Sequence, residues 1–193
     1  MDYKAWFRED QTGATKMYEK TLSKKTIFQG RILALDVLEV ELENGRHTTR
    51  EIICHGGAVA ILPRCPDGRF VFIQQFRKAM ERICFEVVAG NCDPGESPEI
   101  SAARELKEET GYTPKQLKSL GPIIPSVGYC TERIEVFLAE VGDSGATHFD
   151  EDESIETLLL SEEEMDAKIV RGEVADAKTL AAWMLYKLKE GRC

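Results

Sequence analysis

The sequence predicts an α+β fold: a sheet covered by helices on both faces, preceded by an antiparallel strand arm. Three observations predict it. Apolar and acidic residues alternate with period two around Leu38–Leu42, inside a strand-like stretch from Thr26 to His55. Five further short apolar runs follow, bounded by turn residues. Three helical patterns, one central and two near the C-terminus, supply the covering layers.

Taken in order, residues 1–25 are polar, mixed in charge and weakly periodic, and are read as an N-terminal extension. Residues 26–56 form the strand arm. Leu38, Val40 and Leu42 alternate with Glu39, Glu41 and Glu43, and Asn44-Gly45 provides the positive φ that a tight hairpin needs. Arg46 to Cys54 is the return strand. The main domain spans 57–193. It opens with the run Gly57–Leu62, then the Pro66-Asp67-Gly68 turn and a partner strand from Phe70 to Phe76. Ile83–Val88 is the next strand. A helix follows, capped by Ser97, with Pro98 at its first position and Glu99 in its first turn. Ile100, Ala103 and Leu106 recur every three residues as a core face, and Gly111 stops the helix. Gly121 to Gly128 reads as a Pro/Gly-marked connection and Arg133–Val141 as a strand. Gly142–Asp152 reads as a mobile acidic loop, and Ile155–Leu160 as the last strand. Ser161, followed by Glu162, Glu163 and Glu164, starts a second helix. The final helix carries Leu180, Trp183, Met184 and Leu188 on one face, with Trp183 expected in a core or an interface.

Composition narrows the function classes. A chain of 193 residues with 42% apolar residues can bury one ordinary domain core. A net charge of −9 and the absence of a basic cluster argue against nucleic-acid or anionic-membrane binding. No apolar run approaches a membrane span, and the polar start Met1-Asp2-Tyr3-Lys4 lacks a signal-peptide core. The six cysteines include no Cys-x-x-Cys pair and are expected to be reduced thiols in a cytoplasmic protein. His47, His55 and His148 carry no motif.

The central helix carries the chemistry. Glu105, Glu108 and Glu109 lie at i, i+3 and i+4, on one helical face. Like charges so placed cost about 0.2–0.5 kcal/mol per pair. A divalent cation would turn that repulsion into a site, and Mg²⁺ prefers carboxylate oxygens and water. A merely solvated acidic face is the plain alternative. The spacing around these residues decides between the two. Gly90, Glu96 and Arg104-Glu105-Leu106-Lys107-Glu108-Glu109-Thr110-Gly111 resemble the signature of the Nudix hydrolases, which cleave nucleoside diphosphates linked to another group. Tyr112 stands where an aliphatic residue is usual, a packing position.

Residues outside the signature resemble one branch of that family, the ADP-ribose pyrophosphatases and related nucleotide-sugar hydrolases. They are Gly30-Arg31-Ile32, Arg50-Glu51, His55-Gly56-Gly57-Ala58-Val59, Gln75-Phe76-Arg77 and Glu86-Val87-Val88-Ala89-Gly90. Glu151-Asp152-Glu153-Ser154-Ile155-Glu156, Gly172-Glu173-Val174 and Ala177-Lys178-Thr179 belong to the same resemblance. Val88 and Val127 each replace a proline common in the branch. Tyr129 follows, and a tyrosine near this place occurs in dinucleoside polyphosphate hydrolases.

The resemblance implies an α/β/α sandwich with a mixed central sheet and a Mg²⁺-dependent hydrolase, with Mn²⁺ as the alternative ion. Its substrate would be a nucleoside diphosphate sugar, foremost ADP-ribose, yielding AMP and ribose 5-phosphate. GDP-mannose or dinucleoside polyphosphate hydrolysis is the alternative, and a non-catalytic ADP-ribose sensor a further one. Implied metal ligands are the Ala89 carbonyl, Glu105, Glu108, Glu109 and Glu153, with Glu151 as general base. Arg104 would orient a signature carboxylate, and Glu96 would hold the loop. Arg50, Glu51, Arg77, Glu86 and Glu132 are the implied substrate contacts. In the resembled branch the N-terminal strands cross a two-fold axis, so a homodimer joined through the 26–56 arm is expected.

Overall fold

The computed structural model describes residues 18–142, 145 and 155–191. The arm is a three-stranded antiparallel sheet in the order β1 (Glu19–Gln29), β2 (Leu33–Leu42), β3 (His47–His55). β1 therefore begins inside the stretch read as an extension. Its polar, weakly periodic sequence, with Leu22, Ile27 and Phe28 scattered among charged and hydroxyl residues, hid a strand with neither face in the core: all eleven residues are exposed. The Asn44-Gly45 turn joins β2 to β3 as expected, with Gly45 at φ 76°.

The main sheet contains β4 (Ala58–Arg64), β5 (Phe70–Arg77), β6 (Arg82–Glu86), β7 (Val88–Asn91), β8 (Pro114–Ile123), β9 (Ile134–Val141) and β10 (Ile155–Leu160). Its path is β10-β5-β4-β9-β8, with β6 paired to β5 and β7 to β4. β4 and β9 run parallel while the other pairs are antiparallel, which makes the sheet mixed. β4 and β5 pair only at Arg64–Phe70. Beyond that step β5 pairs with β6 and β4 with β7, so the chain from Glu86 to Asn91 is delivered between two diverging strands.

Among the described residues, three helices cover the sheet: α1 (Pro98–Thr110), α2 (Glu162–Val170) and α3 (Ala177–Lys189). Strand parity sorts the core into two layers. Ala58, Ala60, Leu62, Phe70, Phe72, Val136 and Leu138 pack with Met165, Ala182, Trp183 and Tyr186 of α2 and α3. Val59, Ile61, Val71, Ile73, Phe137 and Ala139 pack with Ala102 and Leu106 of α1. Strands buried on both faces read as continuous apolar runs, as Ala58–Leu62 and Phe70–Ile73 do.

Four local expectations are corrected. Ile100 is exposed, because α1 turns Ala102 and Leu106 inward instead. In α3, Met184 and Leu188 are exposed, and the buried positions are Thr179, Ala182, Trp183 and Tyr186. Polar partners permit that rotation: Trp183 Nε1 donates to Asp166 at 2.7 Å and Tyr186 donates to Glu162 at 2.6 Å. The run Ile83–Val88 is two strands, interrupted at Val87. β8 extends N-terminal to the Pro/Gly connection, and its lysines hid it. It is an edge strand, where a first-residue proline and charged side chains are tolerated. Among the described residues, no helix is long and apolar enough to cross a membrane.

Candidate active site

The α1 helix is built as its sequence predicts. Ser97 accepts a hydrogen bond from the Ile100 N–H, Pro98 occupies the first turn, and Gly111 closes the helix at φ 72°. Leu106 and Ala102 bury one face, and the adjoining edge carries Glu105 and Glu109 to β7, with Glu108 beside Arg104. Arg104 gathers the acidic groups. It reaches Glu105 at 2.7 Å, Glu108 at 3.1 Å, Glu96 at 3.4 Å and Asp93 at 3.7 Å. It also donates to the Asn91 carbonyl at 3.0 Å. Burial opposes the guanidinium charge, but hydrogen bonds to Glu105 and then Glu108 raise its pKa above the ordinary arginine value. Glu96 accepts from Ser101 at 2.9 Å as well as from Arg104, which ties the loop to the helix.

The loop before α1 closes on these carboxylates. A Cβ at Gly90 would stand 1.9 Å from Glu105 Cδ, so only glycine allows this approach. One residue earlier, the Ala89 N–H donates to Glu109 at 3.4 Å. Ala89, Gly90, Glu105 and Glu109 are thus brought together, with Glu108 joined through Arg104. Among the described residues, no three carboxylate, imidazole or thiol groups form a ready-made cation cage. The donors that do converge are hard oxygens, and a single arginine carries the counter-charge. That set suits a hard divalent cation, which binds through carboxylate oxygens and water.

A second cluster flanks the loop. Arg77 donates two parallel hydrogen bonds to Glu86, at 2.6 and 2.7 Å, and Lys178 pairs with the same carboxylate. Glu86 is 2% exposed. Burial alone would raise its pKa, but the Arg77 hydrogen bond and the field of Lys178 hold it below the ordinary glutamate value. The Arg77 pKa is raised, first by its bonds to Glu86 and against its own burial. The fields of Glu86, Glu109 and Asp176 add to that shift, which places Arg77 within electrostatic reach of the signature helix.

The remaining expected contacts lie elsewhere or outside the described residues. Arg50 is paired with Glu19 on the exposed arm, at 2.5 Å. Glu51 is exposed on β3, opposite Val37. Glu132 lies 3.9 Å from His55 Nδ1, which accepts the Gly57 N–H. β3 is stitched to this segment: Ile53 N–H donates to Tyr129 and Thr131 N–H donates to Ile53. The structure thus pairs Arg50 within the arm and places Glu132 beside His55, apart from the carboxylates that Arg104 gathers. Glu151 and Glu153 lie outside the described residues. Sequence reasoning assigned no role to Lys178 or Thr179. Their partners, Glu86 and Val87, are 92 residues away, and no local pattern signals such a pairing.

Comparisons with known proteins agree with this geometry. The family model described as the NUDIX domain matches residues 55–183, and that of the nucleoside diphosphate sugar hydrolase N-terminal domain matches residues 19–53. The chain is 42% identical over 174 residues to an ADP-ribose pyrophosphatase of Bacillus subtilis, covering 89% of this chain and 94% of that protein. It is 36% identical to a methanol dehydrogenase activator of Bacillus methanolicus, with the same coverage. A solved structure described as an ADP compounds hydrolase superposes with a TM-score of 0.81 over 93% of this chain and 100% of that one, at 22% identity.

Proposed function

Because this chain belongs to the Nudix hydrolase family, we propose that it hydrolyses the pyrophosphate bond of a nucleoside diphosphate sugar. ADP-ribose is the preferred substrate in this reading, and AMP and ribose 5-phosphate are the products. The observation that carries it is the closure of Ala89-Gly90 onto Glu105 and Glu109, beside an arginine-bridged Glu108.

The Ala89 carbonyl, Glu105, Glu108, Glu109 and Glu153 are the residues that would hold a divalent cation, Mg²⁺ before Mn²⁺. Such an ion, when bound, neutralises phosphate oxygens and acidifies its water. The protein's own groups do the rest. Arg104 holds Glu105 and Glu108 in place. Arg77 is fixed by its fork to Glu86 and offers its remaining N–H groups to a phosphate oxygen. Glu151 would take the proton of the attacking water. Arg50, Glu51 and Glu132 would contact the nucleoside or the sugar.

The arm supports a homodimer. Every residue of β1 is exposed, including Leu22, Ile27 and Phe28, and Ile32 adds to the apolar area. A second copy of the chain covering this sheet would bury it and bring the arm's Arg50 and Glu51 to the partner's site. A cytoplasmic setting fits the free thiols at positions 54, 65, 84, 92 and 130. The net charge of −9 fits a protein that binds no nucleic acid.

A side-by-side turnover panel tests the reading: ADP-ribose, GDP-mannose, ADP-glucose and diadenosine polyphosphates with Mg²⁺, scored by product identity. ADP-ribose should give the highest kcat/KM and release AMP. A preference for diadenosine polyphosphates would move the chain to another branch. Binding without turnover on every compound would revive a sensor. Sedimentation of the same preparation should give twice the chain mass of 21.7 kDa.

A further inference from the structure

The strand leading to the signature loop breaks at Val87, and the break has a specific anchor. β6 leaves β5 at Glu86, and β7 begins its pairing with β4 at Val88. Val87 is fully buried, so its N–H must find a partner inside the protein. Thr179 Oγ1 accepts it at 2.8 Å. The Thr179 hydroxyl in turn donates to Asp176 Oδ2 at 2.5 Å, and Asp176 also caps α3 by accepting the Thr179 N–H at 3.0 Å. With its proton committed to Asp176, the Thr179 oxygen presents a lone pair to Val87. One residue earlier, Glu86 is held by Lys178, which Asp176 also pairs at 3.0 Å. The first turn of α3 therefore grips both residues that immediately precede Val88-Ala89-Gly90.

The grip matters because the next three residues have little slack. β7 is four residues long and is registered on one side by β4, from Ala58–Asn91 to Ile61–Val88. Gly90 already sits against the Glu105 carboxylate with no room for a methyl group. A small shift at Val87 would move the Ala89 carbonyl and Gly90 relative to Glu105 and Glu109. We propose that Thr179, oriented by Asp176 and backed by the Lys178–Glu86 pair, is a positioning residue for the cation-binding loop. It sets where the Ala89 carbonyl lies without touching substrate. This inference rests on the metal-dependent reading of the same site.

Thr179→Val keeps the side-chain shape and deletes the oxygen; Thr179→Ser keeps the oxygen. Mn²⁺ affinity is measured on substrate-free protein by electron paramagnetic resonance, and half-saturating Mg²⁺, kcat and KM are measured with ADP-ribose. Thr179→Val should weaken Mn²⁺ binding and raise half-saturating Mg²⁺ by about tenfold, the scale at which ligand-orienting contacts act. KM at saturating Mg²⁺ should stay within about twofold, since Thr179 orients the metal loop and not the substrate. Thr179→Ser should restore the parent's Mn²⁺ affinity. Near-ultraviolet circular dichroism identifies the folded fraction. If Thr179→Val does not fold, Thr179→Ala removes the same oxygen without forcing a methyl onto the Val87 N–H, and the same weakening is expected. Parent-like Mn²⁺ affinity in the folded oxygen-deleted variant overturns the proposal, as does equal weakening in Thr179→Ser. A parent that binds Mn²⁺ but hydrolyses no nucleotide sugar defeats the substrate reading alone, and the binding measurements still decide the role of Thr179. A parent that binds no Mn²⁺ overturns both.

Discussion

The cluster around Glu86 and the cluster around Glu105 use the same side-chain types with opposite charge balance. Around Glu86, two cations, Arg77 and Lys178, meet two carboxylates, Glu86 and Asp176. Around Glu105, Arg104 meets Asp93, Glu96, Glu105 and Glu108. The first is a closed ion-pair network whose central carboxylate is buried and whose partners satisfy both its oxygens. Among the described residues, the second gathers four carboxylates on Arg104, at the mouth of a loop that only glycine can complete. A network that neutralises itself has structural work to perform; one left with excess negative charge has room for added cations. Mutations around Glu105 should therefore act first on turnover, while mutations around Glu86 should also cost stability, because that network holds both the fold and the loop it anchors.

The largest expected effect is at Glu105. Glu105→Gln keeps the size and a hydrogen-bond acceptor for Arg104 but removes a charge. Weakening the hold on the cation that would neutralise the reacting phosphate should lower kcat by about 10²–10³-fold, the scale of losing one transition-state stabiliser. Stability should hold or rise slightly, because like charges at i+3 and i+4 cost about 0.2–0.5 kcal/mol per pair. Steady-state kinetics with Mg²⁺, together with a thermal melt, reads both quantities. Parent-like turnover would remove Glu105 from the site. Next in size is Glu151→Gln, with kcat down about 10²-fold and the acidic limb of the pH–rate profile lost, as expected for a general base. An unchanged profile would move the base to the signature helix.

The legible part of the molecule was the part encoded by short-range spacing. Ser97, Pro98 and Gly111 bound α1 as read, and the carboxylates at 105, 108 and 109 share an edge because helical periodicity is local. The apolar runs Ala58–Leu62 and Phe70–Ile73 are likewise plain, since burial on both faces leaves only apolar residues. What stayed hidden depends on distant partners. The break at Val87 is invisible in an apolar run, because its cause is a hydroxyl 92 residues away. β1 was obscured because neither of its faces joins the core of its own chain. On α3, Trp183 is buried as read, but Met184 and Leu188 are exposed and Tyr186 is buried in their place, because its hydroxyl finds Glu162, a pairing no helical pattern shows. Arg77 and Glu86 were singled out separately; that they hold each other fixes the orientation of Arg77 and could be learned only from the β5–β6 pairing.

The smallest expected effect tests the closed cluster and appears in stability as a function of pH. The Glu86 pKa is depressed in the folded protein, from an ordinary value of 4.5. A group depressed in this sense contributes stability that is complete above its unfolded pKa. That contribution is lost as pH falls through the lower folded value. Glu86→Gln removes the titration along with the charge. Arg77 and Lys178 retain access to solvent, at 39% and 16% side-chain exposure, so each can recover hydration. The cost at neutral pH should therefore be about 1–3 kcal/mol, the scale of hydrogen bonds to a charged group, below that of stranding a fully buried ion. Urea unfolding of parent and variant from neutral pH into the acid range should show the gap widest at neutral pH and shrinking below about 4.5, because only the parent has this stabilisation to lose. A gap that stays constant across that range would mean the Glu86 charge adds nothing to the fold, and the contrast between the two clusters would then rest on the Glu105 site alone.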